Sequence, residues 1–419
     1  MTTGDLLSRR MFLRGIAGLA GGLVLSACAP NAMPSPSVGA SPSVAPPTPS
    51  LGPSFGATTD PVSTAPTATS APTPAATPLP LRQRIARLLI VGFRGLTVDD
   101  APWIKAAIAD HGLGGVILFD RDQTTGGARN VKSPAQVRTL AKELKSLAQD
   151  RELIVAIDQE GGVVTRLSPK WGYPAVASEE AIGDQGDAAV TTWADGVAGT
   201  LEDAGINMNF APVVDLNVNP TNPAVGALHR AFSADPAVVA RDAKIEVLAH
   251  RNHHVATALK HFPGLGSAST NTDFGVADVT KTWTDKELDP YRALIGPGNV
   301  DLVMAAHVVN GQIDPNAPAS LSKATVTDLL RGQLGFDGPV VTDDMGAAAI
   351  TDAFGFDDAI GLALEAGNDL LLFANQQTYD PKLPGKVIDR IEQLVTEGRI
   401  REAQIDASIA RIDAMFTRG

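Results

Sequence analysis

Eight short, unbroken apolar runs punctuate the chain beyond residue 81: RLLIVGF (87–93), GGVILF (114–119), LIVAID (153–158), INMNFAPVVDL (206–216), VATALKHF (255–262), DLVMAAHVV (301–309), GPVVTDD (338–344) and DLLLF (369–373). A strand with one wet face alternates apolar and polar residues. A continuous run instead means that both faces are buried, as in a parallel sheet covered by helices. Amphipathic segments separate the runs. SPAQVRTLAKELKSLAQ (133–149) opens with Ser133 at the N-cap and Pro134 in the first turn, and DPAVVARDAKIEVLAHRN (235–252) and KATVTDLLRGQLGF (323–336) have the same texture. Eight such units predict one α/β domain over 81–419, a (β/α)8 barrel of the TIM type. An open doubly wound sheet is the alternative. The even spacing, and the lack of a GxGxxG turn after the first run, weigh against it.

The residues before this domain have a different character. Pro30 to Pro80 holds 14 of the 30 prolines and one charged residue, Asp60. Too little apolar surface is present to offset the entropy of ordering, so residues 29–80 are expected to be a disordered Pro/Ser/Thr/Ala-rich tether. Its reach lies between a coil of roughly 40 Å and an extended path of about 160 Å. Residues 1–28 read as an export signal. Arg9 and Arg10 precede GIAGLAGGLVLSA, a run too short and glycine-rich to span a bilayer. The paired arginines point to the translocase for folded proteins. LSAC, ending at Cys28, is similar to a bacterial lipobox, which implies cleavage before Cys28 and lipidation of its thiol. A general secretory signal with an incidental cysteine is the other reading.

Cys28 is the only cysteine, which excludes an intrachain disulfide and a cysteine-based zinc site. The formal charge is −12. Residues 1–80 carry +1 of it, leaving −13 on the domain, with no basic run. That balance argues against nucleic acid and against adhesion to anionic lipid heads. Membrane contact is expected only through a lipid anchor, on the outer face of the cytoplasmic membrane or the cell surface. No metal and no cofactor is expected.

Polar residues close many of the runs: Asp158 with Glu160, Asp215, Lys260 with His261, His307, and Asp343 with Asp344. Barrel enzymes keep their chemistry on this rim. Buried polar groups need partners, so a set converging on one mouth points to a polar ligand. Carboxylates facing cations suit a sugar, and a central carboxylate can stabilise an oxocarbenium-like transition state. Trp103, Trp171, Trp193 and Trp283 could stack on sugar rings, although tryptophans scattered over a barrel more often serve helix packing.

Four blocks, IDQEGGVVTRL (157–167), HRAFSADP (229–236), KHFPGLG (260–266) and VVTDDMGAAAI (340–350), resemble the signature blocks of glycoside hydrolase family 3. The likeness runs in order through most of 81–419. It is strongest to the single-domain bacterial β-N-acetylglucosaminidases, which act on peptidoglycan fragments. The resemblance implies a retaining mechanism with Asp343 as nucleophile. It also implies that Asp158, Arg166, Arg230, Lys260 and His261 hold sugar hydroxyls. His307, closing the sixth run, reads as a sugar contact or a structural hydrogen bond rather than a metal ligand, since no partner ligands lie at metal-site spacing. Because successive strand residues face opposite sides, only one of Asp343 and Asp344 is expected in the mouth, the other being free to cap the next helix.

One block departs from that pattern. The relatives follow Lys-His-Phe-Pro-Gly-His-Gly with an Asp-Ser-His triplet whose histidine is the acid/base. Here Leu265 replaces the turn histidine, and the triplet reads Asn271-Thr272-Asp273. Asp273 is the candidate acid/base, with Asn271 holding it, which would need a raised pKa and a carboxyl ~5–5.5 Å from Asp343. Asp278 or Glu160 could serve instead, or the protein could be a sugar-binding lipoprotein with little or no turnover.

Overall fold

The computed structural model describes residues 79–149 and 151–417; the export signal, Cys28 and almost all of the tether lie outside them. Each of the eight apolar runs contains a barrel strand. These are β1 Leu89–Gly92, β2 Gly115–Leu118, β3 Ile154–Ile157, β4 Met208–Asn209, β5 Ala256–Phe262, β6 Leu302–Ala305, β7 Val340–Thr342 and β8 Leu371–Phe373. All pair in parallel, in the spatial order β7-β6-β5-β4-β3-β2-β1-β8. A bridge between Val341 and Leu370 joins the two ends, which makes the sheet a barrel of the expected TIM type. Every residue of the eight strands is buried, as their unbroken apolar character requires.

The seam between β7 and β8 has its own fastening. Asp369, fully buried, accepts from the Val340 amide (2.9 Å), Arg331 (2.6 Å), Arg411 (2.7 Å) and Ser408 (2.7 Å). A buried carboxylate with four donors is satisfied rather than stranded, so the ring closes on a paired charge.

Two stretches depart from expectation. The run 206–216 is regular only over Met208–Asn209, because Pro212 has no N–H for the ladder. Pairing resumes where Val213 bridges Lys260 and the Val214 amide donates to the Lys260 carbonyl (2.8 Å). The segment 323–336 forms a wide-turned π-helix, Ala324–Gln333, rather than an α-helix. The other two quoted segments are α-helices, Pro134–Leu147 and Pro236–Asn252. Their caps are Ser133, whose Oγ accepts from the Gln136 amide (3.3 Å), and Asp235, which accepts from the Ala237 amide (2.9 Å). No described helix is long and apolar enough to cross a membrane.

Candidate active site

A cavity of about 210 Å3 opens at the C-terminal ends of the strands. Asp158, Arg166, Arg230, Lys260, His261, Asp273 and Asp343 all line it; of the expected site residues within the described chain, only His307 does not.

The β3 corner shows how local sequence builds this wall. Asn209 on β4 accepts from the Gln159 amide (2.9 Å) and donates to the Gln159 carbonyl (3.1 Å), fixing the backbone between Asp158 and Glu160. The Gln159 side chain then accepts from the amides of Arg166 and Leu167 (3.0 Å each). That clamp folds the hairpin back so that Arg166 lies over Asp158. The turn needs Gly161 at φ +94°, where a Cβ would meet the Ala177 carbonyl.

Four charges alternate across the floor. Asp158 accepts from Lys260 (2.9 Å) and, at 3.5 Å, from Arg166. Lys260 also reaches Glu160 (2.6 Å), which takes two bonds from Arg230 (2.7 and 2.8 Å). Glu160 and Lys260 are only 1% and 2% exposed, so burial alone would neutralise them. Their neighbours outweigh it. Arg230 and Lys260 hold the Glu160 carboxyl well below the usual carboxylate range, while Asp158 and Glu160 lift Lys260 above the usual amine value. The result is a rigid, fully charged set of donors and acceptors around a polar guest.

His261 donates from Nδ1 to Asp215 (2.6 Å), and its Nε2 lies 3.5 Å from Arg230. Asp215 also accepts from the Leu265 amide (2.7 Å), tying β4 to the turn after β5. Gly264 in that turn has φ +123°, and a Cβ there would strike Glu287. Glu287 accepts from the Gly266 amide (3.2 Å); burial, then the Asp215 charge, push its pKa up to about 8.

Asp343 follows β7 directly. Its amide donates to the Ala305 carbonyl (3.0 Å), and its carboxylate accepts from the Asp344 amide (2.8 Å). Burial disfavours its charge, but His307, His261, the Asp344 amide and Lys260 together pull its pKa below the ordinary 3.8. Burial lowers the pKa of His307 in its turn, which weakens its share of that pull. The carboxylate is therefore ionised, as a nucleophile requires. Both members of the pair line the cavity. Asp344 does not cap a helix: its carboxyl accepts from the amides of Gly346 (3.0 Å) and Ala374 (2.8 Å), and burial raises its pKa to about 7.

Of the two roles expected of His307, sugar contact or structural hydrogen bond, the geometry shows the second. The residue is 1% exposed, with Nδ1 on Ser320 Oγ (2.6 Å) and Nε2 on the Asp344 carbonyl (2.9 Å). Both nitrogens are spent on the protein, which makes it a brace for the Asp343-Asp344 corner.

Asp273 hangs at the lip. The residue is exposed as a whole but lines the cavity, where desolvation and then the Asp343 charge raise its pKa above 3.8. Asn271 holds it through the backbone: its side-chain oxygen accepts from the Asp273 amide (2.9 Å), not from the carboxyl. The carbonyls of Thr272 and Asp273 accept from the amides of Ala349 (3.2 Å) and Ala348 (3.4 Å), and Gln377 donates to the Asp273 carbonyl (3.2 Å). The other candidate donors fare worse. Glu160 is locked as a carboxylate, and Asp278 is exposed, does not line the cavity and caps Thr280 (2.9 Å).

Glu160 was visible at a strand end only as an alternative proton donor, and Asp215 had no assigned role. Gln123, Gln376 and Gln377, from the loops after β2 and β8, also line the cavity. No sequence signal marked them, since loop amides follow no period. Among the described residues, no cluster of His, Cys, Asp and Glu could hold a metal ion.

A family model described as the glycosyl hydrolase family 3 N terminal domain matches residues 80–415. The chain belongs to glycosyl hydrolase family 3. It is 32% identical over 344 residues to a β-hexosaminidase of Xanthomonas oryzae pv. oryzae, covering 79% of this chain and 97% of that protein. It is also 32% identical over 341 residues to β-hexosaminidase A of Pseudoalteromonas piscicida, 76% of this chain, but spans only 55% of that protein's length. The family 3 fold is shared with a β-N-acetylhexosaminidase from Beutenbergia cavernae: TM-score 0.72, 32% identity, 81% of this chain and 99% of that one. Within family 3 the chain is β-N-acetylhexosaminidase-like.

Proposed function

We propose that the protein hydrolyses β-linked N-acetylglucosaminides with retention of configuration. Asp343 attacks the anomeric carbon while the bond from that carbon to the leaving oxygen breaks and Asp273 gives its proton to that oxygen. Asp273, now a carboxylate, takes a proton from water as the water oxygen attacks the same carbon, releasing Asp343 and restoring the acid. Asp158, Arg166, Lys260, Arg230 and His261 hold the sugar hydroxyls.

The observation that carries this reading is that Asp343, pushed down, and Asp273, pushed up, line one cavity; Asp344 beside them is raised further, to about 7, but its carboxyl is taken up by the amides of Gly346 and Ala374. That division is what one nucleophile and one proton donor require. The β-hexosaminidase relatives supply the sugar. Peptidoglycan fragments as natural substrate, and a Cys28-linked lipid holding the domain outside the cytoplasmic membrane, complete the proposal.

The test is turnover of nitrophenyl β-N-acetylglucosaminide, with the first-formed anomer followed by proton NMR. The β anomer, and loss of turnover in Asp343→Ala, are the expected results. An α anomer refutes the double displacement. Sugar binding with no turnover would instead establish the binding lipoprotein.

A further inference from the structure

Two fully buried glutamates take no part in the chemistry above. Glu179 opens the short helix Glu179–Ile182, and Glu246 lies within Pro236–Asn252. Glu179 Oε1 accepts from the Val213 amide (3.0 Å), and Val213 in turn bridges Lys260. Among the described residues, no donor reaches Glu179 Oε2 or either carboxyl oxygen of Glu246. After burial itself, the Glu246 charge weighs most on Glu179 and the Glu160 charge weighs most on Glu246, while Lys260 draws on both. Both glutamates therefore belong to the electrostatic surroundings of the cavity floor. The other charged groups nearby are engaged. Glu180 pairs with His229, Asp242 with Arg241 (2.7 Å), Arg241 with Asp187 (3.5 Å), and His253 with Glu202 and Asp195. Burial pushes His250 down to about 4, and its Nδ1 faces the Glu246 carbonyl (2.9 Å).

A carboxylate taken out of water without donors is strongly disfavoured against its neutral acid. The floor is already balanced, Asp158 and Glu160 against Lys260 and Arg230, so two further anions would have no cation of their own. Both carboxyls are accordingly held well above the usual carboxylate range. We propose that Glu179 and Glu246 are positioning residues that work as neutral acids, backing the sugar-binding floor without adding charge to it, so that Lys260 stays with Asp158 and Glu160. Ionising them would draw Lys260 off Asp158 and repel Glu160, and the sugar would lose its ammonium donor. This role rests on the sugar-binding reading of the cavity and adds an alkaline limit to its affinity.

A monosaccharide has no leaving group for Asp273 to protonate, so its binding isolates the floor from the proton donor. Calorimetric titration of the unsubstituted protein with N-acetylglucosamine should show affinity falling between about pH 6 and 9, about tenfold per unit once the acids titrate. Glu179→Gln and Glu246→Gln copy the neutral forms. Each should keep affinity at about pH 6 within about 2-fold and flatten the alkaline fall. Glu179→Ala also strips Val213 of its acceptor and should weaken binding about 10-fold at every pH. Infrared spectra read the protons without any sugar: each glutamine variant should lose a protonated-carboxyl band that the unsubstituted protein shows at pH 7. A glutamine variant binding as poorly as Glu179→Ala, an alkaline fall that is absent or untouched in both glutamine variants, or no band lost in either overturns the proposal. Should Glu179→Ala fail to fold, the two isosteric variants still decide. Absence of turnover in the unsubstituted protein would remove the hydrolase reading and leave these results standing.

Discussion

Replacing Asp273 with asparagine keeps the shape of the side chain and removes its proton. If Asp273 protonates the leaving oxygen, the cost scales with how much that oxygen needs a proton. General acids contribute about 10²–10⁴-fold, or roughly 3–5 kcal/mol at about 1.4 kcal/mol per decade. Aryl glycosides with acidic phenols, such as dinitrophenol, leave unaided and should lose little in the glycosylation step. Alkyl glycosides and disaccharides should lose the full amount. The pH profile offers a second reading. Asp343, with its pKa held below 3.8, must be ionised and sets the acid limb; Asp273, raised above 3.8, must be protonated and sets the alkaline limb. Asp273→Asn should abolish the alkaline limb and leave the acid limb in place. Added azide, which needs no general base to attack the glycosyl-enzyme, should restore turnover and yield a β-glycosyl azide. An equal loss for every leaving group, or an unchanged alkaline limb, would refute the assignment.

Two further outcomes follow from other parts of the molecule. Glu160→Gln removes one charge from the buried lattice and leaves Arg230 and Lys260 short of a partner; urea unfolding should show a loss of about 3–5 kcal/mol, and a loss below about 1 kcal/mol would contradict the pairing. His253, between Glu202 (2.7 Å) and Asp195 (2.9 Å), has its pKa raised above 6.5, first by its bond to Glu202 and then by that to Asp195. A raised folded value means that its stabilisation is complete below pH 6.5 and fades as pH climbs through the folded pKa. His253→Gln should flatten that slope in Tm measured against pH, and an unaltered slope would show that the contact is silent.

The barrel was legible because strands buried on both faces spell themselves as unbroken apolar runs, and every one of the eight contains a strand. The rim residues were legible for a related reason: a charge ending an apolar run, such as Asp158 or Lys260, has few structural excuses. What escaped was whatever depends on rotamer or on loop path. His307 closes its run just as Lys260 does, and only the geometry shows that Ser320 and the Asp344 carbonyl consume its ring. Gln123 and Gln377 sit in loops without periodicity. The alternation rule put one of Asp343 and Asp344 in the mouth, but the chain leaves its strand at Thr342, so the rule no longer governs the pair.

The backbone fastening between Thr272-Asp273 and Ala348-Ala349 bears on how the cycle ends. The loop that carries Asp273 is tied to the stretch of chain just beyond Asp343. It cannot swing out for departing product without drawing on that anchorage. Changes at Ala348 or Ala349 should therefore be felt at Asp273, although neither residue lines the cavity.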